Sequence, residues 1–475
     1  MVRLLGAFFR SARAAAPSSR LPSRRLYSAV ADPIQPVPDA KLKRLGPKLP
    51  PLELESPPPD PGTVGVNAMG MRLQFGGMDD WYLHSMLRDS CQCTRCVDQF
   101  SKQRNFRTSD IPIAIKPRSI KLDGDHLEIK WANDVPGYDE SHVSRYSLRF
   151  LKYPSAIPHR GSAGLKRRRI DWDKEIMQRV QHWISYSDYM DDELKFTSAM
   201  RHLAITGLVF VKDIPDSREM VAKIATRMGP IRDTFYGSTW DVRSVPKAKN
   251  VAYTSQFLDF HMDLMYMKNP PGFQLLHCLQ NSCEGGESLF LDSFAVASQI
   301  HHWHPEIFKE LSQCRLTYEY NHEDHVYSNA WPVFEAGTPD SKQDPHLLHV
   351  NYSPPFQGNM LPKWRDYETT SKNIRALHYF AKQLEDERRI FELKLNPGEC
   401  VIFENRRVLH ARRQFNTSSG HRWLAGAYVD EDALLSKFQT LSAKYPFSWF
   451  GYTLPGPPYL DNKVEKLETE TASKA

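Results

Sequence analysis

The sequence predicts a mainly β (α+β) protein, with a β-sandwich or jelly-roll core, flanking helices and a smaller β-rich domain ahead of it. Three observations carry this expectation. Strand-like runs such as "HLAITGLVFVKD", "GFQLLHCL", "SLFLDSF", "FELKLNPGECVIFEN" and "HRWLAGAYVD" recur between Gly and Pro turns. Helical periodicity is limited to a few segments. A proline-dense stretch sets both domains apart from the N-terminus, and 475 residues leave room for two cores.

In chain order, residues 1–31 hold six arginines, no lysine and no acid, and are rich in Ala and Ser. That is the composition of a mitochondrial transit peptide. Residues 32–63 form a linker ("PIQPVPDAKL", then "KLPPLELESPPPDPG") too rich in proline to fold alone. Residues 64–155 carry short strand-like pieces such as "HLEIKWA" around a group of cysteines, and read as the small β-rich domain. The basic run "PHRGSAGLKRRRIDWDKE" reads as a solvated connection.

The larger domain is expected over residues 184–445. Met220, Val221, Ile224, Ala225 and Met228 form a helical stripe ended by Gly229 and Pro230. Ile374, Leu377, Phe380, Ala381 and Leu384 form a second, and both stripes are expected to face the core. Residues 461–475 are charged and poor in apolar side chains, so disorder is expected there.

Composition excludes several function classes. No stretch approaches the ~20 continuous apolar residues that cross a bilayer. Of 62 basic residues, six lie in the first 31, leaving 56 against 56 acids, so the remainder is neutral and gives no reason to expect a nucleic-acid partner. The seven cysteines do not make a disulfide framework; three crowd into "CQCTRC" (Cys91, Cys93, Cys96), which points to metal in a reducing compartment.

The chemistry centres on "QFLDFHMDLMYMKNPPG". Residues i and i+2 of a strand share a face, so His261 and Asp263 can hold one ion together. A third ligand would complete the two-histidine, one-carboxylate set that holds non-haem Fe(II) with positions open for substrate and oxygen. His410, in "GECVIFENRRVLHARRQF", is the candidate; His277, His421, His301, His302 and His304 are rivals on composition. Downstream, Arg422, Leu424, Gly426 and Tyr428 would share one face of a strand. An arginine on an inner face is costly unless it meets an anion, ideally a carboxylate it can grip with both nitrogens. An interior iron site beside such an arginine suits 2-oxoglutarate.

These residues carry a family resemblance. "RMGPIRDTFYGSTW", "NVAYTSQFLDFHMDL", "PPGFQLLHC", "GGESLFLDSF", "NPGECVIFENRRVLHARR" and "RWLAGAYVD" resemble, in order, the gamma-butyrobetaine and trimethyllysine hydroxylases, 2-oxoglutarate- and Fe(II)-dependent dioxygenases of carnitine biosynthesis. "LRDSCQCTRC" is similar to that family's zinc-binding N-terminal domain. The resemblance implies a double-stranded β-helix (jelly-roll) catalytic domain, with His261, Asp263 and His410 as iron ligands. Arg422 would anchor the distal carboxylate of 2-oxoglutarate, with Ser288 touching the same cosubstrate. Tyr236, Trp240, Tyr253 and Tyr428 would form an aromatic cage for a trimethylammonium group, which has no hydrogen to donate and is hosted by ring faces. Asn250 would help hold the substrate carboxylate.

The same resemblance places His142, in "DESHVSRYSLRF", as fourth ligand to a zinc on Cys91, Cys93 and Cys96, with His126 as the local rival. Three thiolates and an imidazole leave no open position, so such a zinc would be structural. Ascorbate is the implied reductant, the mitochondrial matrix the expected location and a homodimer a further expectation.

The chain departs from the family's pattern at Met262, Arg406, Ala411 and the stretch "NYSPPFQGN" (Asn351 to Asn359), which bears on substrate identity rather than on iron chemistry. Gamma-butyrobetaine to L-carnitine is the leading expectation and trimethyllysine hydroxylation the first alternative. A mitochondrial binding protein that keeps the fold without catalysis is the second.

Overall fold

A computed structural model describes residues 53–54, 63–66, 69–75, 78–152, 169–243, 255–337, 347–359 and 367–450. The expected transit peptide and C-terminal tail, and most of the linker, lie outside the described residues. The chain divides into two compact units, with the boundary between Lys152 and Tyr153.

The first unit holds two small sheets. One pairs Thr63–Val66, Gly70–Phe75 and Met78–Leu83; the other orders Glu53–Leu54, Pro117–Asp123, His126–Trp131 and Ser144–Ser147. The linker expectation needs correction here. Glu53 and Leu54 pair in parallel with Ser119 and Ile120, because a proline-rich segment that cannot fold alone can still borrow an existing strand's edge. Leu73, Leu127, Ile129 and Tyr146 are among the buried side chains of this unit's core.

The second unit is a sandwich of two sheets, antiparallel but for one short edge pair. The larger sheet runs Thr239–Arg243, Arg422–Val429, Phe273–Asn281, Cys400–Glu404, Leu208–Lys212 and Trp183–Ser185. The smaller runs Leu258–His261, Val408–Arg412, Ser288–Asp292 and Phe391–Leu393. This is the jelly-roll arrangement expected. Strand alternation sorts the side chains. Leu276, Cys278, Phe290, Phe403 and Leu424 pack together between the sheets, whereas Phe273, Leu275, Ile402 and Ala425 meet the outer helices.

Helices Glu193–Thr206, Met220–Met228 and Glu431–Lys444 cover that outer face. The first begins where the Asp192 carboxylate accepts from Leu194 and Lys195 N–H, and stops at Gly207, whose φ of +73° suits glycine. All five residues of the Met220 stripe are buried. The second stripe is shifted: in helix Tyr367–Leu384 the buried residues are Ala376, Phe380 and Leu384, while Ile374 is exposed. Tyr367 and Ile374 in the first turns are exposed, so the buried face of this helix begins only at Ala376.

The basic connection also differs from expectation. Residues 153–168 lie outside the description, but Trp172 is buried in the core and Arg169 is half-buried, while Ile170 and Asp171 between them stay exposed. Arg169 pairs bidentately with Glu404, and the buried Trp172 donates its indole N–H to the Thr206 carbonyl at 2.7 Å. Beneath them Arg407 and Asp292, both fully buried, form a salt bridge at 2.9 Å. Arg407 also donates to the Ile170 and Ile205 carbonyls, and Asp292 accepts from Trp172 and Phe294 N–H. Removing one partner strands a buried charge. Asp292→Ala is therefore expected to lower the unfolding free energy by about 3–5 kcal/mol, read as a drop in the denaturant midpoint.

Candidate active site

Antiparallel pairing of Leu258–His261 with Val408–Arg412 sets His261 directly opposite His410, with ring centroids 4.1 Å apart. Asp263 reaches the same point by a route the sequence did not suggest. The strand ends at His261, and Asp263 lies in the turn that follows, where Leu264 takes φ +57°. Asn405, fully buried on the turn that leads into the His410 strand, holds that turn in place. Its side-chain oxygen accepts from Asp263 N–H at 2.8 Å, and its amide donates to the Asp263 and Pro271 carbonyls, each at 3.0 Å. The shared strand face expected for His261 and Asp263 is thus replaced by a strand end and a clamped turn. Met262 points into the apolar core, as its position between the two required.

Asp263 Oδ1 lies 3.4 Å from His261 Nε2 and 3.9 Å from His410 Nε2. Candidate ligand atoms of these three residues all fall within 4.8 Å of one another. His261 Nδ1 sits 2.7 Å from the Asp259 carbonyl, which calls for a proton on Nδ1 and leaves the Nε2 lone pair facing Asp263. Burial pushes the Asp263 carboxyl up, but His261, His410 and the Tyr428 hydroxyl outweigh it and hold the group at about 2. Burial, with His261 beside it, lowers His410 to about 3. An ionised carboxylate and an unprotonated imidazole are the forms a metal needs. Two nitrogens and one carboxylate oxygen, with space beside them, fit a non-haem iron.

The trio opens on a cavity of about 810 Å³, including its mouth, whose lining includes Ser288, Arg412, Arg422, Tyr236, Trp240 and Tyr428. Arg422 is buried on the inner face of its strand, and no carboxylate among the described residues pairs with it. Burial lowers it to about 10, so it stays cationic at neutral pH and suits an anionic ligand. Gly286, at φ +74°, lets the "GGES" turn pass within van der Waals reach of the Arg422 side chain. Ser288 follows, opposite Arg412.

Trp240 and Tyr428 stack with centroids 3.9 Å apart, on neighbouring strands where Trp240 faces Gly426. The Tyr428 hydroxyl donates to Asp263 Oδ2 at 2.6 Å. Tyr236 lines the cavity and its hydroxyl lies 3.4 Å from that of Tyr266. Tyr253 and Asn250 lie outside the described residues. Of the rival histidines, His277 is buried on the opposite face of the large sheet, among the residues under the helices, and burial lowers it to about 4. His301 and His302 lie on helix Ser293–Trp303, His304 caps its end, and His421 is exposed.

Sequence reasoning missed Asn405 and Arg412, whereas Phe356, which also lines the cavity, falls in the stretch from Asn351 to Asn359 already marked as bearing on substrate identity. Arg412 was legible, because two positions after His410 on a strand means the same face. It lines the cavity, and its guanidinium, like that of Arg422, lies over the Phe415 ring, at 5.0 and 5.7 Å. Asn405 had no local signal. Arg406, which departs from the family's pattern, lies against Asn351 and Glu335 at 2.6 Å and over the Trp331 ring, so the altered stretch from Asn351 and the altered arginine form one contact.

In the first unit, Cys91, Cys93 and Cys96 converge on His142 Nε2 at 3.7, 3.4 and 3.3 Å. His142 Nδ1 lies 2.6 Å from Asp134 Oδ2, and Asp134 Oδ1 accepts from Arg88 Nε at 2.5 Å. Burial opposes a charge on His142, yet Asp134 and the thiols raise it to about 10. The rival His126 sits on its strand beside Asp125 and outside this group. Asp134, which fixes the His142 ring, is a further residue the sequence did not single out.

Comparison with known proteins agrees with this geometry. Residues 173–428 match the model of the taurine catabolism dioxygenase TauD, TfdA family, and residues 68–152 match that of the gamma-butyrobetaine hydroxylase-like N-terminal family. The chain belongs to the TauD/TfdA family and is a 2-oxoglutarate-dependent dioxygenase. Among its relatives, dioxygenase str8 of Strobilurus tenacellus is 32% identical over 77% of this chain and 86% of its own length. Mitochondrial trimethyllysine dioxygenase of Bos taurus is 29% identical over 78% and 85%. Gamma-butyrobetaine dioxygenase of Pseudomonas sp. (strain AK-1) is 30% identical over 75% and 89%.

A Cβ on Gly426 would lie 2.4 Å from the Trp240 ring, so this glycine is what lets the indole lie flat on the strand. Gly426→Ala is expected to push Trp240 off Tyr428 and cost about 1–3 kcal/mol in chemical denaturation. A crystal structure of the variant should show the displaced ring.

Proposed function

We propose that the protein hydroxylates a small trimethylammonium substrate, with gamma-butyrobetaine as substrate and L-carnitine as product. The observation that carries this reading is the set of rings from Tyr236, Trp240 and Tyr428 on the cavity beside Asp263. A quaternary ammonium gains about 0.5–2 kcal/mol from each such ring. In this reading His261, Asp263 and His410 hold the iron, which when bound couples oxidative decarboxylation of 2-oxoglutarate to hydroxylation. Arg422 grips the distal carboxylate of the cosubstrate and Ser288 donates to it. The rings turn the cation so that the carbon to be hydroxylated faces the metal side of the cavity, and the apolar lining excludes water. Tyr253 and Asn250 belong to the same proposal. Trimethyllysine is the second reading, favoured by the likeness to a mitochondrial trimethyllysine dioxygenase. The arginine-rich, acid-free first 31 residues support a location in the mitochondrial matrix under either reading.

With Fe(II), ascorbate and 2-oxoglutarate, the purified protein is expected to release succinate when given gamma-butyrobetaine, and much less with trimethyllysine. The reverse preference would move the assignment to the second reading. Trp240→Ala should raise KM for the quaternary substrate about 2- to 30-fold while iron uptake survives. His261→Ala with full activity would sink the iron assignment.

The Cys91, Cys93, Cys96 and His142 group is proposed to hold a structural zinc, which its closed four-donor set favours. Metal analysis should then find one zinc that Cys93→Ser removes, with a fall in the first unit's resistance to proteolysis.

A further inference from the structure

We propose that Tyr428 is a positioning residue that keeps the Asp263 carboxylate on one oxygen, in addition to any role as a wall of the substrate cavity. This rests on the reading of Asp263 as a metal ligand. An aspartate offers two oxygens, and a metal can take both, closing a coordination position that a substrate or oxygen would otherwise use. Here the two oxygens are already distinguished. Oδ1 is the atom that faces His261 and His410 Nε2, at 3.4 and 3.9 Å. Oδ2 is taken by the Tyr428 hydroxyl at 2.6 Å.

The hydroxyl cannot easily swing away. Tyr428 is buried, its ring lies on Trp240 at 3.9 Å, and Trp240 lies flat on Gly426. Asn405 fixes the backbone of Asp263 on both its N–H and its carbonyl. Asp263 is therefore held at its backbone by two bonds and at Oδ2 by one, and Oδ1 is left for an ion. Because the same ring borders the cavity, a ligand that shifts Tyr428 would act directly on the carboxylate, which ties the substrate subsite to the metal side.

Tyr428→Phe tests this, since phenylalanine keeps the stack on Trp240 and removes only the hydroxyl. The probe is Mn(II), loaded anaerobically with 2-oxoglutarate, and the readout is broadening of its EPR lines in ¹⁷O-water, which reports bound water. The expected result is broadening in the wild-type protein and its loss in the Phe variant, with turnover about tenfold slower. Equal broadening in both proteins overturns the role of Tyr428 alone. A wild-type protein that takes up no Mn(II) overturns the metal assignment and this inference with it. A fall in melting temperature with unchanged broadening marks a packing role only, and also overturns the proposal.

Discussion

The antiparallel pairing that sets His261 opposite His410 is the contact on which the rest of the site depends. It joins two segments far apart in sequence and puts two imidazoles on one inner wall. The small sheet then continues to Ser288–Asp292, which brings Ser288 beside Arg412. A slip of one residue would turn each of these side chains to the opposite face. The bulge between Leu258 and His261 places the irregularity just ahead of the first histidine, as is common next to active sites.

Buried charge is handled in two distinct ways. Where Arg407 meets Asp292, and where Arg169 meets Glu404, the partners are both protein groups and tie the outer layers to the sandwich. Where Arg422 enters the cavity, no carboxylate among the described residues meets it, and the cost of burying it is left for a ligand to offset. The same division runs through the histidines. His277, in a wholly covered place under the helices, is held neutral by burial, whereas His261 and His410 share one carboxylate at a cavity. The chain belongs to the TauD/TfdA family, and the histidine pair and Arg422 both lie on the same cavity.

Much of this was legible in the residues. The jelly-roll class followed from short strands between Gly and Pro turns, and the inward face of Arg422, Leu424 and Tyr428 followed from period two. The stripe from Met220 to Met228 was buried in full. Expectations failed where a segment's environment, not its own pattern, decides the outcome. Ile374 keeps helical spacing yet is exposed, Glu53 and Leu54 find a strand edge, and Trp172 is buried with its backbone N–H on Asp292.

The sequence by itself determined which donors exist and how they alternate: two histidines, an aspartate, an arginine two positions from a leucine on one face, and three cysteines within six residues. Alternation and spacing are local properties, so they can be read from a single chain. Only the tertiary structure decided that Asp263 arrives by a turn clamped by Asn405, and that Tyr428 takes one of its oxygens. It also decided that Asp134 orients His142. Each of these is a hydrogen bond between groups distant in sequence or outside any repeating pattern. Their geometry exists only once the sheets have paired and the buried polar atoms have found their partners.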